Sequence, residues 1–100
     1  MEAFTALADG IRRQIIELLA RNELSAGEVA AHFACTQPAI SRHLKILREA
    51  GLVRSQIDAQ RRVYTLDPTG FDALYDWLSV QRQFWSQQLD RLDDYSLDEI

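Results

Sequence analysis

Cysteine occurs once in these 100 residues, at Cys35, so no internal disulfide can form and a zinc finger lacks its thiols. Histidine occurs twice, at His32 and His43, and a metal needs several convergent ligands. No apolar run approaches the roughly 20 residues of a membrane span, and no charged-then-apolar leader follows Met1. The four glycines nowhere form a phosphate-binding loop, and no Ser/His/Asp or Cys/His set offers itself for nucleophilic catalysis. There is no internal repeat and no low-complexity tract. These absences lead to the expectation of a cytoplasmic chain that is not an enzyme, carries no cofactor or metal and contacts no membrane. At this length, with 47% hydrophobic residues, the chain is expected to form one domain over 1–100, with a core small enough to gain from pairing with a second copy.

Net charge is −4, which on average disfavours a polyanion partner, but the charge is segregated. Between positions 37 and 65, Arg42, Lys45, Arg48, Arg54, Arg61 and Arg62 stand against Glu49 and Asp58, a local balance of +4. From position 66 onward, Arg82 and Arg91 face seven aspartates and Glu99, a balance of −6. A positive third is carried on an acidic body.

The apolar spacing predicts a mainly α chain with one small β-hairpin. "AFTALA" reads as a short first helix over 3–8. Ile11, Ile15, Leu18 and Leu19, after Asp9 and Gly10, mark a second over about 11–20. "LSAGEVAAHF" reads as a third, with Ser25 as N-cap, Glu28 as its capping-box partner, and Val29, Ala30 and Phe33 facing inward. "ACT" is a three-residue break. Thr36 caps a fourth helix, Pro38 sits in its first turn, and Gly51 ends it in the left-handed position.

That fourth helix turns Ile40, Leu44 and Leu47 to one side and Arg42 to the other. Pro38, Ala39 and Lys45 flank Arg42, and Gln37 and Ser41 lie at the N-terminal edge. "LVRSQID" and "RRVYTL" form a hairpin separated by Ala59 and Gln60. Asp67 and Pro68 then start a long helix over about 71–94, where Phe71, Leu74, Leu78, Trp85 and Leu92 recur in near-heptad steps, broadened by Tyr75, Trp77, Phe84 and Leu89.

Short helix, turn, helix with a polar outer face, basic hairpin: this order is that of a winged helix-turn-helix. The helix-turn-helix is expected over about 25–50, the wing over about 53–66 and a C-terminal helix over about 68–95. An α-helix fits the DNA major groove, and small residues at its start let the backbone approach base edges. Gln37, Pro38, Ala39, Ser41, Arg42 and Lys45 are the candidate DNA contacts on the helix. Arg61 and Arg62 are those on the wing. Phe71, Leu74, Leu78, Trp85 and Leu92 are the candidate dimer seam.

"FTALADGIRRQIIELLA", "QPAISRHLKILREAGLV" and "RRVYTLDP" resemble the ArsR family of bacterial winged-helix repressors over residues 3 to about 95. The tail "YDWLSVQRQFWSQQLDRLDDY" further resembles the metal-independent, SdpR-like autorepressor branch. The resemblance implies a homodimer, with the first and last helices at its interface, that binds an inverted-repeat operator in double-stranded DNA and represses transcription. Ser25 and Gly27 stand where metal-sensing relatives carry a "CVC"-type pair, and the last helix has no imidazole for the alternative site. Ala59 and Gln60 stand where the wing usually turns on Gly-Arg.

Competing readings attach to single residues. His43 reads as a packing or helix-positioning residue or as a phosphate contact, and His32 as a surface or packing residue. Cys35, just before the recognition helix, reads as an ordinary small buried side chain or as a redox switch. Tyr75, Trp77, Phe84 and Trp85 suit either an interface core or a pocket for a small apolar effector. The alternative for the whole chain is a winged-helix protein–protein module, against which Arg42, Lys45 and Arg48 weigh.

Overall fold

Four helices, a hairpin and a final long helix follow one another in the computed structural model, which describes residues 2–98 and the side chains of 2–92. They are α1 (Glu2–Leu7), α2 (Gly10–Leu19), α3 (Ala26–Ala30), α4 (Gln37–Glu49), β1 (Val53–Asp58), β2 (Arg61–Leu66) and α5 (Pro68–Asp98). The side chains of Asp93, Asp94 and Asp98 and the whole of Glu99, part of the acidic tail, lie outside the described residues.

Short polar side chains set where the helices begin. The Asp9 carboxylate accepts the N–H groups of Ile11 (2.9 Å) and Arg12 (3.1 Å), so α2 starts at Gly10, one residue earlier than its spacing suggests. The bond from Arg12 N–H, with the nearby Arg12 and His43 side chains, keeps the Asp9 carboxyl below its ordinary pKa. Ser25 and Glu28 form the expected capping box at α3. Asp67 Oδ1 accepts the Thr69 N–H at 3.0 Å, directly ahead of Pro68 in the first turn of α5.

The core forms where the helical stripes meet the hairpin. Ile15, Val29, Ile40, Leu44, Leu47 and Leu52 have no solvent exposure, and Leu19 and Val53 have almost none. Each such side chain contributes about 1.5–3 kcal/mol relative to its exposed state. Helix α4 ends in a Schellman closure: Gly51, at φ +80°, donates to Arg48 O, and Leu52 donates to Leu47 O, both at 3.0 Å. The buried pair Leu47 and Leu52 closes that corner, which turns the chain from α4 into β1.

Strands β1 and β2 pair antiparallel from Val53↔Leu66 to Asp58↔Arg61, leaving Ala59 and Gln60 as the loop. Ala59 takes φ +59°, a left-handed conformation that a side chain disfavours. Leu24 adds a one-residue third edge: its N–H reaches Tyr64 O at 3.2 Å, and the Tyr64 N–H reaches Leu24 O at 2.8 Å.

Two boundaries differ from the spacing of the sequence. Helix α3 closes at Ala30 rather than reaching Phe33, because His32 and Phe33 donate to the carbonyls three residues back, at 3.0 and 3.1 Å. The break before α4 is therefore residues 31–36, not three residues, although Phe33 still packs on the core. Helix α5 spans 31 residues, beyond the expected 71–94 at both ends. That is about 46 Å of helix, and it draws the molecule out to 65 × 28 × 22 Å.

The start of α5 crosses the α4–β1 corner at backbone contact. Asp67 N–H donates to Leu52 O at 2.9 Å. A Cβ on Gly70 would overlap the carbonyl oxygen of Gly51 and stand 2.7 Å from its carbon, so only glycine fits there. Gly70→Ala should lower unfolding free energy by about 1–3 kcal/mol, the usual range for forced overpacking, as read from a shifted denaturation midpoint. An unchanged midpoint would mean that α5 can rise off the corner without loss.

Candidate nucleic-acid interface

The outward face of α4 is a consequence of its inward one. With Ile40, Leu44 and Leu47 fully buried, the residues half a turn away must face solvent. Gln37, Pro38, Ser41, Arg42 and Lys45 are exposed, and Ala39 is half-buried. Lys45 lies 3.9 Å from Glu49, with both side chains well exposed, a contact too solvated to withhold the charge from another anion.

The start of α4 is already partly bonded. Thr36 Oγ1 accepts the Ala39 N–H at 3.3 Å, Thr36 O accepts the Ile40 N–H at 3.1 Å, and Pro38 has no N–H to give. Of the first three residues, only Gln37 retains a donor outside these bonds among the described residues. A phosphate at this end would meet one N–H and the Gln37, Ser41 and Arg42 side chains, a sparser cradle than a bare helix N-terminus. The Gln37 amide also lies over Gly27, where an added Cβ would meet its Oε1 at 3.4 Å.

Behind this face, two arginines of α2 tie the first helix down. Arg12 Nε donates to Ala6 O at 2.6 Å and Nη2 to Thr5 O at 3.3 Å, and Arg13 Nη1 donates to Leu7 O at 2.7 Å. Cations thus meet the orphan carbonyls at the negative end of α1. Arg12 Nη1 also lies 3.2 Å from His43 Nδ1. A guanidinium only donates, so a hydrogen bond between the two has Nδ1 as its acceptor. Half-buried His43 thus meets α2 through Arg12, a contact that fits the packing or helix-positioning reading rather than the phosphate one.

On the hairpin, Arg61 and Arg62 are both exposed but differently engaged. Arg61 Nη2 lies 3.0 Å from Glu28 Oε1, whereas Arg62 Nη1 donates to Ser55 Oγ at 3.3 Å. Glu28 Oε1 also accepts the Ser25 N–H at 2.9 Å. That bond, with the hydroxyl of Ser25 and the nearby Arg61 cation, holds the Glu28 carboxyl below its ordinary pKa. The sequence singled out both Arg61 and Glu28 without showing that they meet. Gln56 Nε2 donates to Glu23 Oε2 at 3.2 Å, a second side-chain link between the hairpin and the segment before α3.

The candidate seam divides along α5. Leu74 is buried within the protomer and Phe71 is half-buried against the core, while Leu78, Trp85 and Leu92 are 40%, 52% and 60% exposed. Trp77 meets Phe4 of α1 edge to face, with centroids 5.0 Å apart. Phe71, Leu74, Tyr75 and Leu78 border an open hollow of about 370 Å³, which Phe84 and Trp85 do not line. Cys35 is half-buried beside the core. Among the described residues, no three His, Cys, Asp or Glu side chains converge as a metal would require, and no helix is long and apolar enough to cross a membrane.

Against this geometry, the pattern of the bacterial regulatory proteins of the arsR family matches residues 9–55, from the α2 cap into β1. The HTH-type transcriptional regulator Rv2034 of Mycobacterium tuberculosis is 47% identical over 87 residues, covering 87% of this chain and 78% of the relative. The transcriptional repressor SdpR of Bacillus subtilis is 35% identical over 75 residues, covering 75% of this chain and 83% of the relative. Among solved structures, the homodimeric winged helix-turn-helix DNA-binding domain of Mb0332 from Mycobacterium bovis superposes with a TM-score of 0.67 at 27% identity, covering 82% of this chain and 76% of that one.

Proposed function

We propose that this chain, which belongs to the arsR family of bacterial regulatory proteins, is a homodimeric autorepressor that binds an inverted-repeat operator without a metal. DNA binding and regulation of transcription come with the family, and the chain is not an enzyme. The finer reading rests foremost on the exposed, cationic outer face of α4, with Gln37, Pro38, Ala39, Ser41, Arg42 and Lys45 as its contact set. Arg42 is the reader of base edges, since its long donor-rich side chain projects directly opposite the buried stripe. Arg61 and Arg62 serve the phosphate side. The site of action is the cytoplasm.

Pairing is supported by the row Leu78, Trp85 and Leu92, which the protomer leaves open over the far part of α5. The homodimeric state of the M. bovis domain supports the same reading. Phe71 and Leu74 enter the seam only at its margin, because their own protomer covers most of them. Metal independence is supported at Ser25, whose hydroxyl already accepts the Glu28 N–H at 3.2 Å, and at Gly27, which has no side chain to offer. Repression is supported by the likeness to SdpR, which is named a transcriptional repressor.

Four outcomes test this reading. The operator is first recovered by sequencing genomic fragments captured on the purified protein. Arg42→Ala should then weaken operator binding far more than scrambled-duplex binding, by about 1–3 kcal/mol for each base edge no longer read. Arg61→Ala combined with Arg62→Ala should weaken both, and should flatten the salt dependence by about 0.9 in log–log slope for each phosphate no longer neutralised. Fluorescence anisotropy across several salt concentrations separates the two. Equal weakening of both duplexes by Arg42→Ala would make that residue a phosphate clamp and move base reading to Gln37, Ala39 and Ser41.

Trp85→Asp should place a carboxylate in the seam at a cost of several kcal/mol, and sedimentation should show monomer or aggregate. A native-like dimer would remove α5 from the interface. Operator affinity should be indifferent to zinc, cadmium, arsenite or chelator. Tight stoichiometric binding of any of these with release of DNA would establish a metal site.

A further inference from the structure

Arg61 is a wing cation that the free protein does not leave free. Its guanidinium lies 3.0 Å from Glu28 Oε1, the oxygen that also accepts the Ser25 N–H at 2.9 Å. The capping box therefore fixes the Glu28 rotamer, and the fixed carboxylate in turn fixes Arg61. Two further links run between the same parts: the Leu24–Tyr64 backbone pair, and the Gln56–Glu23 bond at 3.2 Å. The wing is thus tied to the helix-turn-helix along its strands, at Tyr64 and Gln56, and next to its loop, by the ion pair from Arg61 to α3. Arg62, one residue on, has only Ser55 Oγ as partner among the described residues and keeps its full charge for an anion.

An exposed ion pair of this kind adds little to stability, with Arg61 and Glu28 side chains 52% and 44% exposed. Its effect lies elsewhere. Any phosphate that takes Arg61 must displace a carboxylate that is held in place, whereas a phosphate that takes Arg62 displaces a hydroxyl. We propose that Glu28 is a specificity-determining residue of the wing: through its ion pair it holds the hairpin against α3 and withholds Arg61 from phosphates of random DNA. In the operator complex, the register set by contacts along α4 lets Arg62 meet the backbone while Arg61 stays on Glu28, so the cost of displacing the carboxylate falls on random DNA. This inference rests on the DNA-reading function proposed above.

The discriminating variant is Glu28→Gln. Glutamine keeps the capping box, since its carbonyl accepts the Ser25 N–H, and removes the charge that holds Arg61. In the full-length protein, three measurements are made on wild type, Glu28→Gln, Arg61→Gln and the double variant. The first two are affinity for a random-sequence duplex and for the captured operator, each across salt concentrations. The third is hydrogen exchange of the hairpin amides without DNA.

Glu28→Gln should raise affinity for random duplex by about five-fold per wing near 0.15 M salt and steepen the slope by about 0.9 for each additional phosphate neutralised. Operator affinity should rise less, so the ratio between them falls. In the Arg61→Gln background the same substitution should change neither duplex. Hairpin amides should exchange faster in both single variants, with no further increase in the double.

An equal rise in affinity with and without Arg61 would reduce Glu28 to a general repulsive charge and overturn the proposal. So would hairpin exchange that Glu28→Gln leaves unchanged. Failure of the wild-type protein to bind any duplex would remove the DNA-reading function itself, and with it this role of Glu28, whatever the exchange shows.

Discussion

Burial of one side of α4 orients the cationic face through which we propose this protein reads DNA. Ile40, Leu44 and Leu47 are wholly enclosed, and the Schellman closure at Gly51 locks the last of them against Leu52. A helix held on three successive turns cannot rotate about its axis without drawing apolar surface into water, at about 25 cal/mol for each Å² exposed. The azimuth of Arg42 is therefore set by residues that never touch solvent. The Arg12–His43 contact adds a polar restraint at the edge of the same face. Through the bonds of Arg12 to Ala6 and Thr5 it connects α4 to the end of α1.

The acidic character of the rest of the chain fits this division. A uniformly basic protein of this size would bind any duplex through counterion release, with little regard to sequence. Here six of the eleven Lys and Arg lie on α4 and the hairpin, while the sequence from position 66 onward carries a balance of −6. Repulsion by that segment leaves a narrow range of productive approaches. Restraint of Arg61 by Glu28 is a local version of the same device, because a carboxylate set against a cation narrows the range of anions that the cation can take. The formal charge of −4 is thus compatible with a polyanion partner, since the field near the contact surface matters more than the sum.

What the sequence made legible follows from periodicity and capping. The stripe in α4, the Ser25–Glu28 box, the Thr36 cap, the left-handed Gly51 and the two-residue loop at Ala59 are local, and each is written within a few neighbouring residues. Less legible were features that depend on partners distant in the chain. Nothing near Arg12 signals its bonds to Ala6 and Thr5 or its contact with His43. Gly70 carries no turn signal, because its requirement comes from the carbonyl of Gly51 on another element. The Glu28–Arg61 pair spans α3 and β2, and nothing in either segment encodes the meeting. The turn before α4 is longer than its sequence suggests for a different reason: two 3₁₀-type bonds end α3 early while leaving Phe33 on the core, so the apolar pattern outlasts the helix.

The seam on α5 shows the same limit from the opposite side. Heptad spacing identifies residues that seek cover without saying whose surface supplies it, and Phe71, Leu74 and Leu78 look equivalent in the sequence. In the fold they grade from half-buried and buried to 40% exposed as α5 leaves the body of the protomer. Beyond Leu78, the remaining apolar side chains of the row have left their own core behind, and Val80 and Phe84 add further open apolar surface on other sides of the helix. A helix of about 46 Å extending from a body whose shorter dimensions are 28 and 22 Å outreaches what that body can cover. A second chain supplying the cover would also place a second α4 at a fixed distance from the first. An inverted-repeat target requires that spacing, so under the proposed pairing the length of α5 and a symmetric operator would both follow from one exposed stripe.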